Sequence, residues 1–343
     1  MSSADRTPTP ETAPTATASA DDRPRVVILT AEGTPAPTNL ATLRELVGVT
    51  ETDAAGLADA LPGAEVLFIW DFFSGALADA WPAADSLRWV HVAAAGVDAI
   101  LFDELRASDV VVTNARGVFD APIAEFVAAS VLAHDKLLHE SKAQQRAGAW
   151  QHREPRRTAG SRALVVGTGG IGRACARLLR ALGMEVRGAG RVAREDDADF
   201  GTVVASDDLV AHVGDVDHLI LAAPLTDRTR GLVGRDVLAA LPSRAHLVNV
   251  GRGALVDEPA LVDALRAGAL AAASLDVFAV EPLPADHPFW SMPNVHVSAH
   301  MSGDVVGWRD ALAEQFADNL RRHLAGEPLA NPVDKSSGYV PGS

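Results

Sequence analysis

A glycine-rich turn is the most specific chemical signal in this sequence of 343 residues. The apolar segment 163–166 runs directly into this turn, which reads Gly167, Thr168, Gly169, Gly170, Ile171 and Gly172. In such a strand–turn–helix unit the first glycine permits the turn, the second admits a pyrophosphate, and the third lets helix and strand pack closely. Free N–H groups at the helix N-terminus then meet the phosphates. The pattern predicts a dinucleotide-binding site.

The residue that selects between NAD(H) and NADP(H) is expected about 20 positions further on, at the end of the next strand. An acidic side chain there would bind the ribose 2′-hydroxyl, but the sequence has Arg191, with Arg194 close behind. A guanidinium suits a 2′-phosphate through charge-assisted hydrogen bonds. We therefore predict NADP(H) as the favoured cofactor. NAD(H) stays as the alternative, because the acidic residues 195–197 follow at once.

Charged or titratable side chains also lie beside other expected strand ends, where the sequence has Arg252, Glu281 and His300. The planar fork of an arginine matches a carboxylate, and histidine exchanges a proton near neutral pH. His296 and His300 have a spacing that suits a metal only on a helix. The valines beside His296 indicate a strand instead. We predict no metal site.

Short apolar segments alternate with helical patterns from residue 25 onward. The segments expected to form strands are 26–30, 66–70, 89–92, 110–113, 163–166, 219–222, 246–250 and 295–298. Continuous β-branched runs suit parallel strands that are buried on both faces. Helices are expected over residues 121–148 and 305–324. The sequence predicts an α/β fold.

Composition excludes several other classes of protein. Lys and Arg number 30 against 45 Asp and Glu, a net charge of −15, so we predict no nucleic acid or membrane partner. The sequence has no apolar run of the roughly 18 residues that a membrane span needs. The single cysteine, Cys175, gives no sign of an oxidising compartment, and we expect a cytoplasmic protein. Residues 1–23, rich in Pro, Thr and Ala, are expected to form a disordered tail.

Taken in this order, the motifs resemble those of the D-isomer-specific 2-hydroxyacid dehydrogenases. The matching segments also include AAAGVD at 93–98, TNARGVFDAPIAEF at 113–126 and APLTDRTRGLVG at 223–234. The resemblance implies an NAD(P)H-dependent D-2-hydroxyacid dehydrogenase that reduces hydroxypyruvate, glyoxylate or a bulkier 2-oxo acid. Two alternatives stay open, a phosphoglycerate dehydrogenase and a non-catalytic dinucleotide-sensing scaffold of the same fold.

The resemblance assigns roles to matching residues. Arg252 would hold the substrate carboxylate and polarise its carbonyl, and His300 would be the catalytic acid and base. Glu281 would pair with His300 and favour its protonated form. Asp276 and the backbone carbonyl of Val250 would orient the nicotinamide carboxamide.

Further positions follow from the same resemblance. Backbone N–H groups of one loop would bind the substrate carboxylate, namely those of Ala94, Ala95, Gly96 and Val97. Ala223 and Pro224 would contact the cofactor. Aromatic residues at a strand end and at the start of the last helix could form a wall for a larger side chain, namely Trp70, Phe72, Phe73 and Trp308.

The implied architecture is a pair of Rossmann-like, doubly wound parallel-sheet domains with the active site in the cleft between them. A substrate domain would comprise residues 24–119 and 301–334, and an NAD(P)-binding domain residues 120–300. Residues 335–343 would form a C-terminal tail. The resemblance also implies a homodimer joined through the coenzyme domain, whose only other partner is a small 2-oxo or 2-hydroxy acid.

Overall fold

The structure is a computed structural model that describes residues 23–340, and it contains two parallel sheets. The expected N-terminal tail therefore lies, except for Arg23, outside the described residues. The first sheet has five strands, β1 (Arg25–Leu29), β2 (Gly48–Thr52), β3 (Val66–Ile69), β4 (Trp89–Val92) and β5 (Val111–Asn114). They pair in parallel in the order β2-β1-β3-β4-β5, which is a doubly wound order.

Short helices connect these strands and cover the sheet. They are α1 (Leu40–Leu46), α2 (Leu57–Ala60), α3 (Ala76–Ala80) and α4 (Asp103–Ala107). Every residue of β3 and β4 is buried, which explains why their sequences are apolar without alternation.

Two consecutive helices, α5 (Asp120–Asp135) and α6 (Leu138–Ala147), lead from the first sheet to the second. The sequence predicts one helix over residues 121–148, and the structure divides it at Leu137. Leu137 has φ 54°, in the left-handed region, and its N–H bonds to the carbonyl of His134. This local turn ends α5, and no glycine or proline marks it in the sequence.

The second sheet has eight strands. They are β6 (Arg162–Val166), β7 (Glu185–Gly190), β8 (Arg194–Asp197), β9 (Gly201–Ala205), β10 (His218–Leu221), β11 (His246–Asn249), β12 (Ala272–Leu275) and β13 (Val295–Val297). The order is β13-β12-β11-β10-β6-β7-β9-β8. Its helices are α7 (Gly170–Ala181), α8 (Arg235–Ala240) and α9 (Glu258–Arg266).

The strand order of the second sheet is that of a dinucleotide-binding Rossmann domain, with its switch point between β6 and β10. The edge strand β8 is the exception to parallel pairing, because it runs antiparallel to β9. Its polar sequence, REDD, did not indicate a strand. The predicted α/β class with two doubly wound parallel sheets is confirmed.

The last helix, α10 (Trp308–Leu324), returns to the first sheet. Its Phe316 stacks on Phe68 of β3 with ring centroids 3.9 Å apart. The two chain crossings between the sheets pack on each other, because the rings of Phe119 and Trp308 lie 6.0 Å apart. Within the described part of the chain, no helix has the length and apolar character needed to cross a membrane.

Candidate active site

The glycine turn between β6 and α7 forms a cradle that side chains would fill. A Cβ atom on Gly167 would overlap the backbone of Ala222 and Ala223 at the end of β10, and one on Gly172 would overlap the carbonyl of Gly167. The N-cap of α7 is Gly169, which has no side chain with which to cap the helix. The first N–H groups of α7 therefore point toward an open anion site. These residues fit the pyrophosphate of a dinucleotide.

Asp120, at the start of α5, lies against this turn. Its carboxylate occupies the position that a Cβ on Gly170 would take. Burial raises the pKa of Asp120 above its ordinary value, against the nearby positive charges of Arg116 and Arg177. The sequence analysis assigned Asp120 no role.

The two arginines predicted to recognise a 2′-phosphate have different surroundings. Arg191 follows β7 directly, and Thr168 of the glycine turn packs against Gly190, the last residue of that strand. Within residues 23–340, Arg191 makes no ion pair, and its guanidinium carbon lies 4.7 Å from the ring centroid of Tyr339. Arg191 is therefore the arginine whose hydrogen-bonding edge is available.

Arg194, by contrast, is paired with a carboxylate. Its Nη2 lies 2.8 Å from Asp197 Oδ2, and Arg173 bonds to the same carboxylate. Burial alone would raise the pKa of Asp197, but the hydrogen bonds from Arg173 and Arg194 lower it. Arg194 would have to leave Asp197 in order to bind a phosphate.

The ends of three adjacent strands, β11, β12 and β13, carry Arg252, Asp276 and His300. His300 has φ 50°, a left-handed conformation that is uncommon for a residue with a side chain. Asp276, which is buried, holds this turn in place. Its carbonyl accepts the N–H of His300 at 2.9 Å, and its carboxylate accepts those of Met301 and Ser302. Asp276 thus fixes the backbone from which the imidazole projects.

His300 and Glu281 form a close pair, with Nδ1 and Oε2 2.7 Å apart. The other carboxylate oxygen of Glu281 accepts the N–H of Phe278 at 2.8 Å. Burial alone would raise the pKa of Glu281, but hydrogen bonds from His300 and Phe278, and the charges of His300 and Arg252, lower it below its ordinary value. An ionised Glu281 can only accept, so Nδ1 carries a hydrogen and Nε2 takes no part in this pair.

Arg252 is held by a carboxylate from the first sheet. Its Nε lies 3.2 Å from Asp98 Oδ1, its Nη2 lies 3.0 Å from the same oxygen, and its Nη1 donates to the carbonyl of Gly251 at 2.9 Å. A Cβ on Gly96 would overlap Nη2. The guanidinium therefore lies directly on the loop that follows β4. The sequence analysis missed Asp98, although it ends the AAAGVD motif.

The loop after β4 presents backbone donors beside this arginine. The carbonyls of Ala94 and Ala95 accept hydrogen bonds from Ala115 N–H and Asn114 Nδ2. Within the described residues, the N–H groups of Ala94, Ala95, Gly96 and Val97 donate to no protein acceptor. Together with Arg252 they can bind a carboxylate.

Aromatic side chains surround the space beside His300. The Phe73 ring and the imidazole form a T-shaped contact, with centroids 5.4 Å apart, and Phe72 packs on Trp308. The cavity next to them is lined by Thr34, Trp70, Asp71, Phe72, Phe73, Trp308, Arg309 and Leu312. The structure thus brings together the aromatic residues proposed as a wall.

The remaining predicted cofactor contacts follow strands β10 and β11, whereas His296 lies apart from the catalytic pair. Val250 and Ala223 are buried at the ends of β11 and β10, and Pro224 is exposed. His296 is turned away from His300, because its ring stacks on His139 at 3.4 Å. Burial, together with the charge of His139, lowers the pKa of His296 to about 4.

Comparison with known proteins gives consistent similarities. A family model described as D-isomer specific 2-hydroxyacid dehydrogenase, NAD binding domain, matches residues 128–302. Glyoxylate/hydroxypyruvate reductase A of Yersinia enterocolitica is 32% identical over 259 residues, 74% of this chain and 82% of that protein. Hydroxyphenylpyruvate reductase of Plectranthus scutellarioides is 32% identical over 265 residues, 76% of this chain and 82% of that protein.

A solved structure extends the similarity over nearly the whole fold. It is a D-isomer specific 2-hydroxyacid dehydrogenase from Xanthobacter autotrophicus in complex with NADPH and MES. The two chains are 32% identical, with a TM-score of 0.76, and the match covers 92% of this chain and 99% of that one.

Proposed function

This chain belongs to the D-isomer-specific 2-hydroxyacid dehydrogenases, as its motifs implied, and we propose that it uses NADPH to reduce 2-oxo acids with a bulky side chain. The observation that carries the reaction is the Glu281–His300 pair, 2.7 Å apart, with the positive charge of Arg252 near Glu281. The proton donor His300, its charged partner Glu281 and the carboxylate anchor Arg252 lie together with a loop whose backbone N–H groups donate to no acceptor in the described residues.

The geometry defines what each residue does during reduction. Arg252 and the loop after β4 bind the substrate carboxylate and orient the carbonyl beside His300. When bound, NADPH supplies the hydride that adds to the carbonyl carbon. His300 donates a proton from Nε2 to the carbonyl oxygen, and Glu281 compensates the imidazolium charge beforehand. In oxidation, neutral His300 removes the same proton.

The bulky side chain is inferred from the aromatic residues beside His300. Phe73 makes a T-shaped contact with the imidazole, and the cavity beyond it is walled by Trp70, Phe72 and Trp308. An aromatic substrate side chain packs well in such surroundings. The relative that is named for hydroxyphenylpyruvate supports this substrate class.

A panel of 2-oxo acids with NADPH and NADH side by side tests the proposal. We expect turnover with NADPH, and a higher kcat/KM for phenylpyruvate than for glyoxylate. Phe73→Ala should lower kcat/KM for phenylpyruvate by about five- to tenfold and that for glyoxylate much less, because only the larger substrate contacts the ring. Equal losses for both substrates would contradict the aromatic pocket. Cofactor binding without turnover on any 2-oxo acid would favour the non-catalytic scaffold.

NADPH is proposed because Arg191 lies at the end of β7 with its edge available. The solved relative that binds NADPH supports this choice. Phosphoglycerate dehydrogenase stays the alternative activity, and 3-phosphohydroxypyruvate in the same panel distinguishes it.

The homodimer is also part of this proposal. Every residue of α6 is exposed or half-buried, and Leu138 at its start and Trp150 after its end expose large apolar side chains. Such a surface is stabilised when a second copy covers it. Light scattering after gel filtration should give twice the monomer mass, and a monomeric mass at working concentration would contradict the dimer. The expected cytoplasmic location stays a prediction.

A further inference from the structure

The C-terminal segment, residues 332–340, is held firmly on the first sheet. Pro332 forms a bridge with Thr113, and Val333 donates to the carbonyl of Val112 at 2.8 Å. Val333 and Val340 are buried in the core of that sheet. These contacts fix both ends of the segment.

Polar contacts fix its middle. The Nζ of Lys335 donates to the carbonyls of Leu105 and Val110, each at 3.0 Å, at the end of α4. Asp334 accepts hydrogen bonds from the backbone of Ser336 and from the hydroxyl of Ser337, both at 2.9 Å. The Asp334 N–H donates to the carbonyl of Tyr339 at 3.0 Å and closes a turn. Tyr339, the one tyrosine of the sequence, therefore has a defined backbone position.

The Tyr339 ring reaches across the cleft to the second sheet. The guanidinium carbon of Arg191 lies 4.7 Å from its centroid, a cation–π distance. A guanidinium that lies flat over a ring contacts it with its face, whereas a bidentate hydrogen bond to phosphate uses its edge. Tyr339 can therefore hold Arg191 while the edge stays available.

We propose that Tyr339 is a positioning residue for NADPH selectivity, supplied by the C-terminal segment from the opposite side of the cleft. It restricts the Arg191 side chain to conformations that present its donors to the 2′-phosphate. The long, otherwise exposed arginine then loses less conformational freedom when the cofactor binds. This inference rests on the proposed use of NADPH through Arg191.

The test is direct titration of NADPH and NADH by cofactor fluorescence, without substrate. Tyr339→Ala and Tyr339→Leu should raise the Kd for NADPH about fivefold, the value of an exposed cation–π contact, and leave the Kd for NADH within about twofold. Tyr339→Phe keeps the ring and should bind both cofactors like the unmodified protein. In an Arg191→Ala background, Tyr339→Ala should cause no further loss of NADPH affinity.

The outcomes separate this inference from the proposed cofactor. If Arg191→Ala leaves the ratio of the Kd values for NADPH and NADH unchanged, the proposal that Arg191 recognises NADPH is wrong. If Arg191→Ala abolishes the preference but Tyr339→Ala and Tyr339→Leu do not weaken NADPH binding, only the role of Tyr339 is overturned. Equal increases in the Kd for both cofactors would also overturn it, because the ring would then have only a structural role. A Tyr339→Phe variant that binds NADPH as weakly as Tyr339→Leu would overturn it too, because the hydroxyl and not the ring would then be decisive.

Discussion

Replacing Glu281 with glutamine removes the charge that faces His300 and keeps the shape of the side chain. The Phe278 N–H bonds one carboxylate oxygen, so the glutamine oxygen stays there and its NH₂ group faces Nδ1. That group donates to an unprotonated Nδ1 and repels a protonated one. The substitution therefore disfavours the imidazolium both by lost attraction and by reversed hydrogen bonding.

The size of the lost attraction follows from the distance between the Glu281 carboxylate and the His300 imidazolium and from how exposed the two side chains are. Charges about 4 Å apart attract by about 1 kcal/mol in water and about 4 kcal/mol at an effective dielectric constant near 20. The side chains of His300 and Glu281 are 31% and 30% exposed, so we take about 1–2 kcal/mol for the attraction that the substitution removes. The proposed reduction needs protonated His300, so the high-pH limb of its kcat/KM profile should move to lower pH. Oxidation needs the neutral ring, so its low-pH limb should move down equally.

The assay is kcat/KM against pH for both directions, under conditions where chemistry limits the rate. Glu258→Gln is the matched control, because Glu258 forms the other Glu–His pair among residues 23–340, with His287 at 3.1 Å, outside the active site. It should leave both limbs in place. If both limbs of the pH profiles stay in place in Glu281→Gln and kcat/KM is lower at every pH, then Glu281 maintains the shape of the site and does not stabilise the protonated form of His300.

Other substitutions test the anchor, the loop and the cofactor. Arg252→Ala should lower kcat/KM for 2-oxo acids, because about 2–5 kcal/mol of transition-state stabilisation is lost, and it should leave the Kd for NADPH nearly unchanged. Turnover like that of the unmodified protein would show that another residue anchors the carboxylate. Gly96→Ala should lower kcat/KM at least about tenfold with little change in Tm, because its Cβ displaces the end of the Arg252 side chain and no backbone atom. Gly48→Ala, with only ordinary contacts at its Cβ, is the control, and a Gly96→Ala variant of full activity would contradict the tight loop. Arg191→Asp should reverse the preference toward NADH by placing a like charge beside the 2′-phosphate, and an unchanged ratio of Kd values would show that Arg191 is only solvated.

The sequence by itself determined the features that depend on neighbouring residues. The turn from Gly167 to Gly172 was identified because a strand, closely spaced glycines and a helix are consecutive in the chain. The apolar strands β3, β4 and β10 were predicted because burial on both faces requires continuous apolar runs. Arg252, Glu281 and His300 were identified because each belongs to a short motif.

Tertiary structure decided which groups meet across the cleft. Asp98 and Arg252 are 154 positions apart, and only the packing of the two sheets brings that carboxylate to that guanidinium. The same holds for Tyr339 and Arg191, whose contact depends on where the C-terminal segment is fixed. The turn at Leu137 and the edge strand β8 lack the glycine, proline or apolar residues from which such features are predicted. Local patterns encode elements, but long-range pairs depend on the geometry with which those elements pack.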